Sequence, residues 1–443
     1  MKKVLFIAYF FPPLGWSGVQ RSLKYVKYLR DFGWEPVVVT VGSTRFPIKD
    51  ETLQAEIPKG IEIIRIDDIL LKEYTDVMKN QLLDLIKPSI DIIKNSRLTE
   101  EYVSELEVKL EQIRNDLFMP DQYIFWANHV LAKIEQKVDF NEISLLYTTS
   151  GPYSSHTIGY NLKCKYNLPW VADFRDEWTN NPYFCFNEES LRFKMERELE
   201  RNIVTMADKI ITISPVSAEN YITIFSLDHK KVKTITNGYD EADFAGLKAI
   251  GYKNSKFTIV HNGTFYLIRQ PDTFLEAIYQ LVNKKMIKKE HLCIKFIGRC
   301  DANYKANIIK KDPDNLIEWV PYVSHKESLE LTLTADMLLL VVGADPRTKS
   351  FYTGKAFEYL RMKKPILALS PKESVIEKLL TITRCGENVE YTDLQGIQNH
   401  IYKYYHNWLK GSNEYTVNEA EIKKYERKNL TRELAMVFEE LIR

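Results

Sequence analysis

The chain has 443 residues, 45% apolar and 27% charged, with 61 Lys and Arg against 60 Asp and Glu. That length exceeds one ordinary core and predicts two domains of roughly 150–220 residues each. The composition excludes a disordered chain, and the charge balance leaves no basic surplus for nucleic-acid binding.

Cys164, Cys185, Cys293, Cys300 and Cys385 are scattered without a CxxC pair, so neither a disulfide framework nor a zinc cluster is expected. No apolar run approaches about 18 residues, the length of a transmembrane helix. Met1-Lys2-Lys3 and the run to Leu14 could pass for an export signal. Pro12-Pro13 and a Gly/Ser loop follow instead of a cleavage site, so the run reads as a buried first strand.

Val4–Tyr9 is a continuous apolar strand. After the loop Gly15-Trp16-Ser17-Gly18 a helical period starts near Val19, with Leu23, Val26 and Leu29 on its buried face, and Asp31-Phe32-Gly33 stops it. Pro36–Val41 is the next strand, completing a βαβ unit with a parallel pair. Continuous rather than alternating apolar runs imply strands covered on both faces. The same grammar predicts strands at Ile61–Ile66, Ser144–Thr148, Trp170–Phe174, Lys209–Ile213 and Val232–Ile235. It restarts at Phe257–His261 and continues through Cys293–Ile297, Ile317–Val320, Met337–Val342 and Pro365–Leu369, with helices at Phe274–Val282 and Thr353–Arg361. The expected class is α/β, with a first unit over 1–238, a boundary near Tyr239–Asn254 and a second unit over 255–415.

Residues 71–137 carry no convincing strand. Their apolar spacings (Leu82, Leu85, Ile86; Val103, Leu106, Leu110, Ile113, Leu117) predict a helical insertion in the first domain. It reads as a cap over the sheet; an acceptor-binding wall or membrane-facing surface is the sharper alternative. The C-terminal segment from Tyr415 is also helical.

Several groups could carry chemistry. Gly15 and Gly18 sit between a strand and a helix, where backbone N–H groups attract anions; a tight turn explains them equally well. Gly263 repeats that placement, and Arg269 follows near the next helix, either facing a phosphate or simply exposed. Gly354-Lys355 and Glu358 open a helix just past a buried strand. At a strand's carboxyl end a lysine and a carboxylate suit a diphosphate and a ribose diol; a surface salt bridge is the alternative. Asp173 and Arg175 end a buried strand, as an ion pair or as functional charges. Asp173 would orient or deprotonate an acceptor hydroxyl, and Arg175 would steady developing negative charge. His156 is either a satisfied helix histidine or a base. Asp312-Pro313-Asp314 reads as a turn rather than a metal-binding DxD.

Taken in order, FFPPLGWSGVQR, TNGYD, HNGTF and GKAFEYLRMKKPILAL resemble the family 4 nucleotide-sugar glycosyltransferases of the GT-B type. Pro120-Asp121 with Trp126, TSGPYSSH and ADFRDEW resemble members linked to bacterial surface-polysaccharide assembly. The resemblance implies two Rossmann-like domains with parallel sheets facing across a cleft, and a C-terminal helix (about 420–443) packing back on the first domain. It implies a cytoplasmic hexosyltransferase, with room for peripheral membrane contact through the first domain. The donor would be a nucleotide-diphosphate sugar and the acceptor a glycan or lipid-linked glycan; no metal or other cofactor is expected. Carried onto this sequence, Glu358 would bind the ribose, Arg269 and Lys355 would neutralise the diphosphate, and Tyr322 and Val323 would flank the base. Gly18 would approach the phosphate or sugar from the opposite wall. Of the family's two glutamates with seven residues between them, the second matches Glu358 and the first falls on Ser350. Ser150 stands where a histidine is often found. A sugar-nucleotide 2-epimerase of the same fold, and a sugar-nucleotide-binding protein without turnover, are the alternative functions.

Overall fold

The computed structural model describes the chain except residues 45, 69–79, 82–83, 86, 90–95, 184–186, 248–254, 266–268, 313, 412–414 and 443. The first sheet contains β1 (Lys2–Ile7), β2 (Trp34–Val41), β3 (Glu62–Ile66), β4 (Ile143–Thr149), β5 (Trp170–Phe174), β6 (Lys209–Thr212) and β7 (Val232–Thr234). All seven run parallel, in the order β3-β2-β1-β4-β5-β6-β7. The second sheet contains β8 (Phe257–Asn262), β9 (Leu292–Ile297), β10 (Ile317–Val320), β11 (Met337–Val341), β12 (Ile366–Leu369) and β13 (Gly386–Val389). It is also parallel, in the order β10-β9-β8-β11-β12-β13.

The central strands are buried along their whole length because their apolar runs are continuous. β5 and β11 expose no residue, and β1 is closed from Val4 onward. Chain order reverses between β1 and β4 in one sheet and between β8 and β11 in the other. At such a reversal the two neighbouring loops diverge and leave a crevice at the strands' carboxyl ends. Both sites that matter here open from those crevices.

The chain passes twice between the domains, and the two passages lie side by side. Tyr239 N–H donates to Tyr425 O at 3.1 Å, and Arg427 N–H donates to Tyr239 O at 2.7 Å. Gly238 is required there, because a Cβ would run into the Tyr425 carbonyl. Beyond this point the helix Arg427–Leu441 joins the first domain's core, with Leu430, Leu434 and Phe438 buried. The Phe438 ring meets Trp34 edge-on at 5.2 Å.

The predicted insertion divides into unlike parts. Leu82, Ile86 and most of its first half lie outside the described residues. The helix Ile124–Lys133 caps the sheet edge: Trp126 is fully buried and its indole N–H donates to Ile66 O at 3.1 Å. The helix Ser96–Leu117 is less enclosed. Leu98, Ile113 and Leu117 on its apolar stripe are each more than half exposed. β13 was not predicted. Its sequence, Gly-Glu-Asn-Val, has no apolar run, because it is an edge strand buried only in part.

Candidate functional site

The second domain's crevice gathers groups from three separate segments. β8 ends at His261 and Asn262, and the chain turns at Gly263 with φ +145°. A side chain at Gly263 would be strained by that backbone and would also collide with Lys355 Nζ. Lys355 is the second residue of the helix Gly354–Met362, which follows β11. Its ammonium lies 3.3 Å from His261 Nε2. The opposite ring nitrogen, Nδ1, donates to Leu339 O at 3.0 Å. That bond fixes the tautomer and leaves a lone pair on Nε2 facing the ammonium. Burial, then the Lys355 charge, hold the His261 pKa well below its ordinary value.

Arg269 lies close enough to act on both groups electrostatically. Burial, then the Arg269 charge, push the Lys355 pKa down to about 7, with Glu358 offsetting part of the effect. The Arg269 guanidinium sits over the rings of Tyr183 (5.3 Å) and Phe351 (5.8 Å). The helix Gly354–Met362 adds its N-terminus to this positive pocket. The N-cap Thr353 makes no side-chain cap, and the space around Gly354 is open. The uncapped helix N-terminus, its dipole and two cations together form a site for a multiply charged anion.

Glu358 lies one turn further along that helix. Its Oε1 accepts from His325 Nε2 at 2.9 Å. Burial would raise the Glu358 pKa, but His325, together with the Arg427 and Lys24 charges, outweighs that and lowers it. The pairing expected as the plain alternative, Lys355 with Glu358, does not form. Tyr322 and Val323 separate in role. Val323 packs on the second domain's core. Tyr322 is 39% exposed and reaches across to the first domain, where its hydroxyl fills the space beside Gly15.

The first domain's crevice requires four corrections. Asp173 has no exposed surface. It accepts from Arg21 Nε at 2.9 Å and Nη2 at 2.8 Å, from the Tyr147 hydroxyl at 2.7 Å and from Thr149 Oγ1 at 2.9 Å. Burial would raise its pKa, but Arg21 and the Tyr147 and Thr149 hydroxyls together outweigh that and lower it. A carboxylate with four donors and no route to solvent anchors an ion pair and cannot take an acceptor's proton. His156 is also fully buried, with Nδ1 2.8 Å from Thr148 Oγ1. Burial pushes its pKa down to about 3, so it stays neutral and enclosed. Gly18 faces no open crevice: the Arg175 guanidinium occupies the space where its Cβ would be.

Arg175 is partly exposed, and its nitrogens are taken by main-chain carbonyls. Nη1 donates to Gly18 O at 2.6 Å, Nη2 to Gly151 O at 2.9 Å, and Nε to Ser150 O. It therefore ties the loops after β1, β4 and β5 into one surface, which is a positioning task rather than the charge-steadying one expected.

Four contributors were missed in the sequence. Arg21, 1% exposed, holds Asp173 and also the Thr236 and Ile235 carbonyls. His261 and His325 form the pairs described above. Glu177, 3% exposed, accepts from Asn180 and Asn220 and hydrogen-bonds to Ser350 of the second domain. A carboxylate thus faces Ser350 from across the domain junction, and burial raises its pKa. The one sequence signal available was position: His261 and Glu177 both lie at or just beyond the ends of buried strands.

Glu56, Asp240 and Asp243 also converge. Their centre holds the Lys24 ammonium, 2.5 Å from Glu56 and 2.9 Å from Asp240 and also paired with Asp243. Asp312 accepts from the Leu316 and Ile317 N–H groups at 3.0 Å, as a turn residue does. No helix among the described residues is long and apolar enough to cross a membrane.

No protein-family model matches the chain, and no curated protein matches it. Solved structures do. HepE of Anabaena, in complex with UDP and glucose, is 14% identical at a TM-score of 0.64, over 100% of both chains. Sucrose-phosphate synthase of Thermosynechococcus elongatus is 12% identical at 0.65, over 100% of this chain and 99% of that one. A variant of S. aureus TarM, in complex with fondaparinux, alpha-GlcNAc-glycerol and UDP, is 11% identical at 0.62, over 99% of this chain and 100% of that one. Two parallel sheets, a doubled passage between them and likeness along the whole length give this chain the GT-B fold.

Proposed function

We propose that the protein is a glycosyltransferase, moving a hexose from a nucleotide-diphosphate sugar to an acceptor hydroxyl. The observation that carries this is the convergence of Lys355, Arg269 and a helix N-terminus beside Gly263, with Glu358 one turn away. The fold neighbours that hold UDP or UDP-glucose support the same assignment.

Bond breaking between the sugar and the diphosphate leaves negative charge on the departing phosphate. Lys355, Arg269 and the helix N-terminus at Gly354 would stabilise that charge without reorganising. Glu358 accepts the ribose hydroxyls. The Gly15–Gly18, Ser150–Gly151 and Arg175 loops form the facing wall, where the acceptor would lie. No step needs a metal ion in this scheme, since the cations and the helix end supply the positive charge.

The acceptor in this reading is a glycan or lipid-linked glycan, in keeping with the resemblance of TSGPYSSH and ADFRDEW to surface-polysaccharide enzymes. Peripheral membrane contact belongs to the same reading and is supported by the exposed Leu98, Ile113 and Leu117. The test is calorimetry with UDP, GDP and their hexose conjugates, followed by release of the nucleoside diphosphate in the presence of glycan acceptors. Binding that is lost in Lys355→Ala, with turnover of one conjugate, supports the assignment. Failure of every nucleotide to bind would overturn it. Binding without turnover against a broad acceptor panel would favour a sugar-nucleotide-binding protein.

A further inference from the structure

We propose that His325 orients Glu358 for the nucleotide ribose, and that it makes the ribose end of the site dependent on contact with the first domain. This rests on the reading that Glu358 faces a nucleotide.

His325 is the first residue of the helix His325–Thr332. Its Nε2 lies 2.9 Å from Glu358 Oε1, and its own backbone N–H donates to Asp50 Oδ2 at 3.2 Å. Asp50 belongs to the first domain, 275 residues away in sequence. It is 6% exposed and its other oxygen caps Thr52 at 3.1 Å, so its position is fixed. One residue therefore holds the first domain with its main chain and the donor-site carboxylate with its side chain.

Three charged groups face the imidazole. Glu358 and Asp243 lie on opposite sides, with Asp243 Oδ2 4.0 Å from Nδ1, and Lys24 stands behind Asp243. The two carboxylates favour an imidazole carrying protons on both nitrogens, and the Nε2 hydrogen bond to Glu358 holds the ring. The His325 and Glu358 side chains are 18% and 19% exposed. Neither is sealed in the core, so a ligand in the crevice can reach the carboxylate.

Glu358 Oε2 has no hydrogen-bond partner among the described residues. With Oε1 held by His325, the carboxylate presents Oε2 and one remaining lone pair of Oε1. That arrangement matches the two adjacent hydroxyls of a ribose. Without His325 the glutamate is free to turn among its rotamers and loses that alignment. The lysine and arginine that hold the diphosphate do not depend on His325, so the two ends of the nucleotide are recognised separately.

The experiment compares three probes by calorimetry: UDP, 2′,3′-dideoxy-UDP and inorganic pyrophosphate. In the unaltered protein UDP binds more tightly than its dideoxy analogue. In His325→Ala that preference falls about tenfold, the scale of one charged hydrogen bond, while pyrophosphate affinity is unchanged. His325→Gln, which can still donate to Glu358, restores part of the preference. Asp50→Asn, which alters the acceptor of the His325 N–H, also reduces it while leaving pyrophosphate affinity unchanged. A merely structural role for His325 would weaken all three probes alike. An unchanged preference in both His325→Ala and Asp50→Asn overturns this inference and leaves the donor site standing. Failure of UDP and pyrophosphate to bind the unaltered protein overturns both.

Discussion

Lys355 Nζ and His261 Nε2 lie 3.3 Å apart, beneath a glycine that tolerates no side chain. The lysine is depressed to about pH 7 by burial and by Arg269. A bound diphosphate supplies the missing negative charge and raises that pKa. Above pH 7 binding therefore takes up a proton, and affinity falls as pH rises through the window between the free and bound values. In the free protein the sign for stability is opposite. A lysine depressed on folding is destabilising below pH 7, and stability grows as pH rises toward the unfolded value near 10.4. Calorimetry at about pH 8 in buffers of different ionisation enthalpy measures the uptake. It should vanish in Lys355→Ala, which should also bind about 1.5–3 kcal/mol more weakly.

Gly263→Ala should behave like a loss of the anion site. Its φ of +145° strains any side chain, and the added methyl displaces the Lys355 ammonium. Nucleoside diphosphate affinity should drop at least tenfold. Arg269→Ala, measured alongside, should weaken binding without the backbone strain, so its melting temperature should stay closer to that of the unaltered protein.

Asp173→Asn should destabilise rather than inactivate. The buried pair with Arg21 spans 152 residues, and removing one partner of such a pair costs about 3–5 kcal/mol. Thermal melting should show a large drop. Transfer per folded molecule, measured well below the new midpoint, should be near normal. A normal melt with poor transfer would return Asp173 to the chemistry.

Glu177 and Ser350 face each other across the domain junction. Ser350→Glu places a second carboxylate against a buried one whose pKa is already raised. The variant should be less stable at pH 8 than at pH 5, because both groups then seek to ionise. Combining it with Glu177→Gln should relieve that pH dependence. Glu177→Gln alone should leave the fold intact, and its transfer rate measures whether this carboxylate serves the reaction.

Much of the architecture was legible in the residues. Val4–Ile7, Trp170–Phe174 and Met337–Val341 could only be strands covered on both faces, because an unbroken apolar run has no side to offer to water. The glycines at 15, 18 and 263 marked strand-to-helix turns for the same local reason. Lys355 and Glu358 were placed on one helix face by a spacing of three. Local geometry fixed all of these. What the tertiary structure alone decided was the partner of each charge. Asp173 meets Arg21 from another element, Lys355 meets His261 from 94 residues away, and Glu358 is held by His325 rather than by its helical neighbour. The helix Ser96–Leu117 likewise has the period of a buried helix but leaves Leu98, Ile113 and Leu117 of its stripe exposed. Periodicity records which residues share a face. It contains nothing about what that face, or a buried charge, will find opposite it, since that depends on which distant strands become neighbours in the sheet.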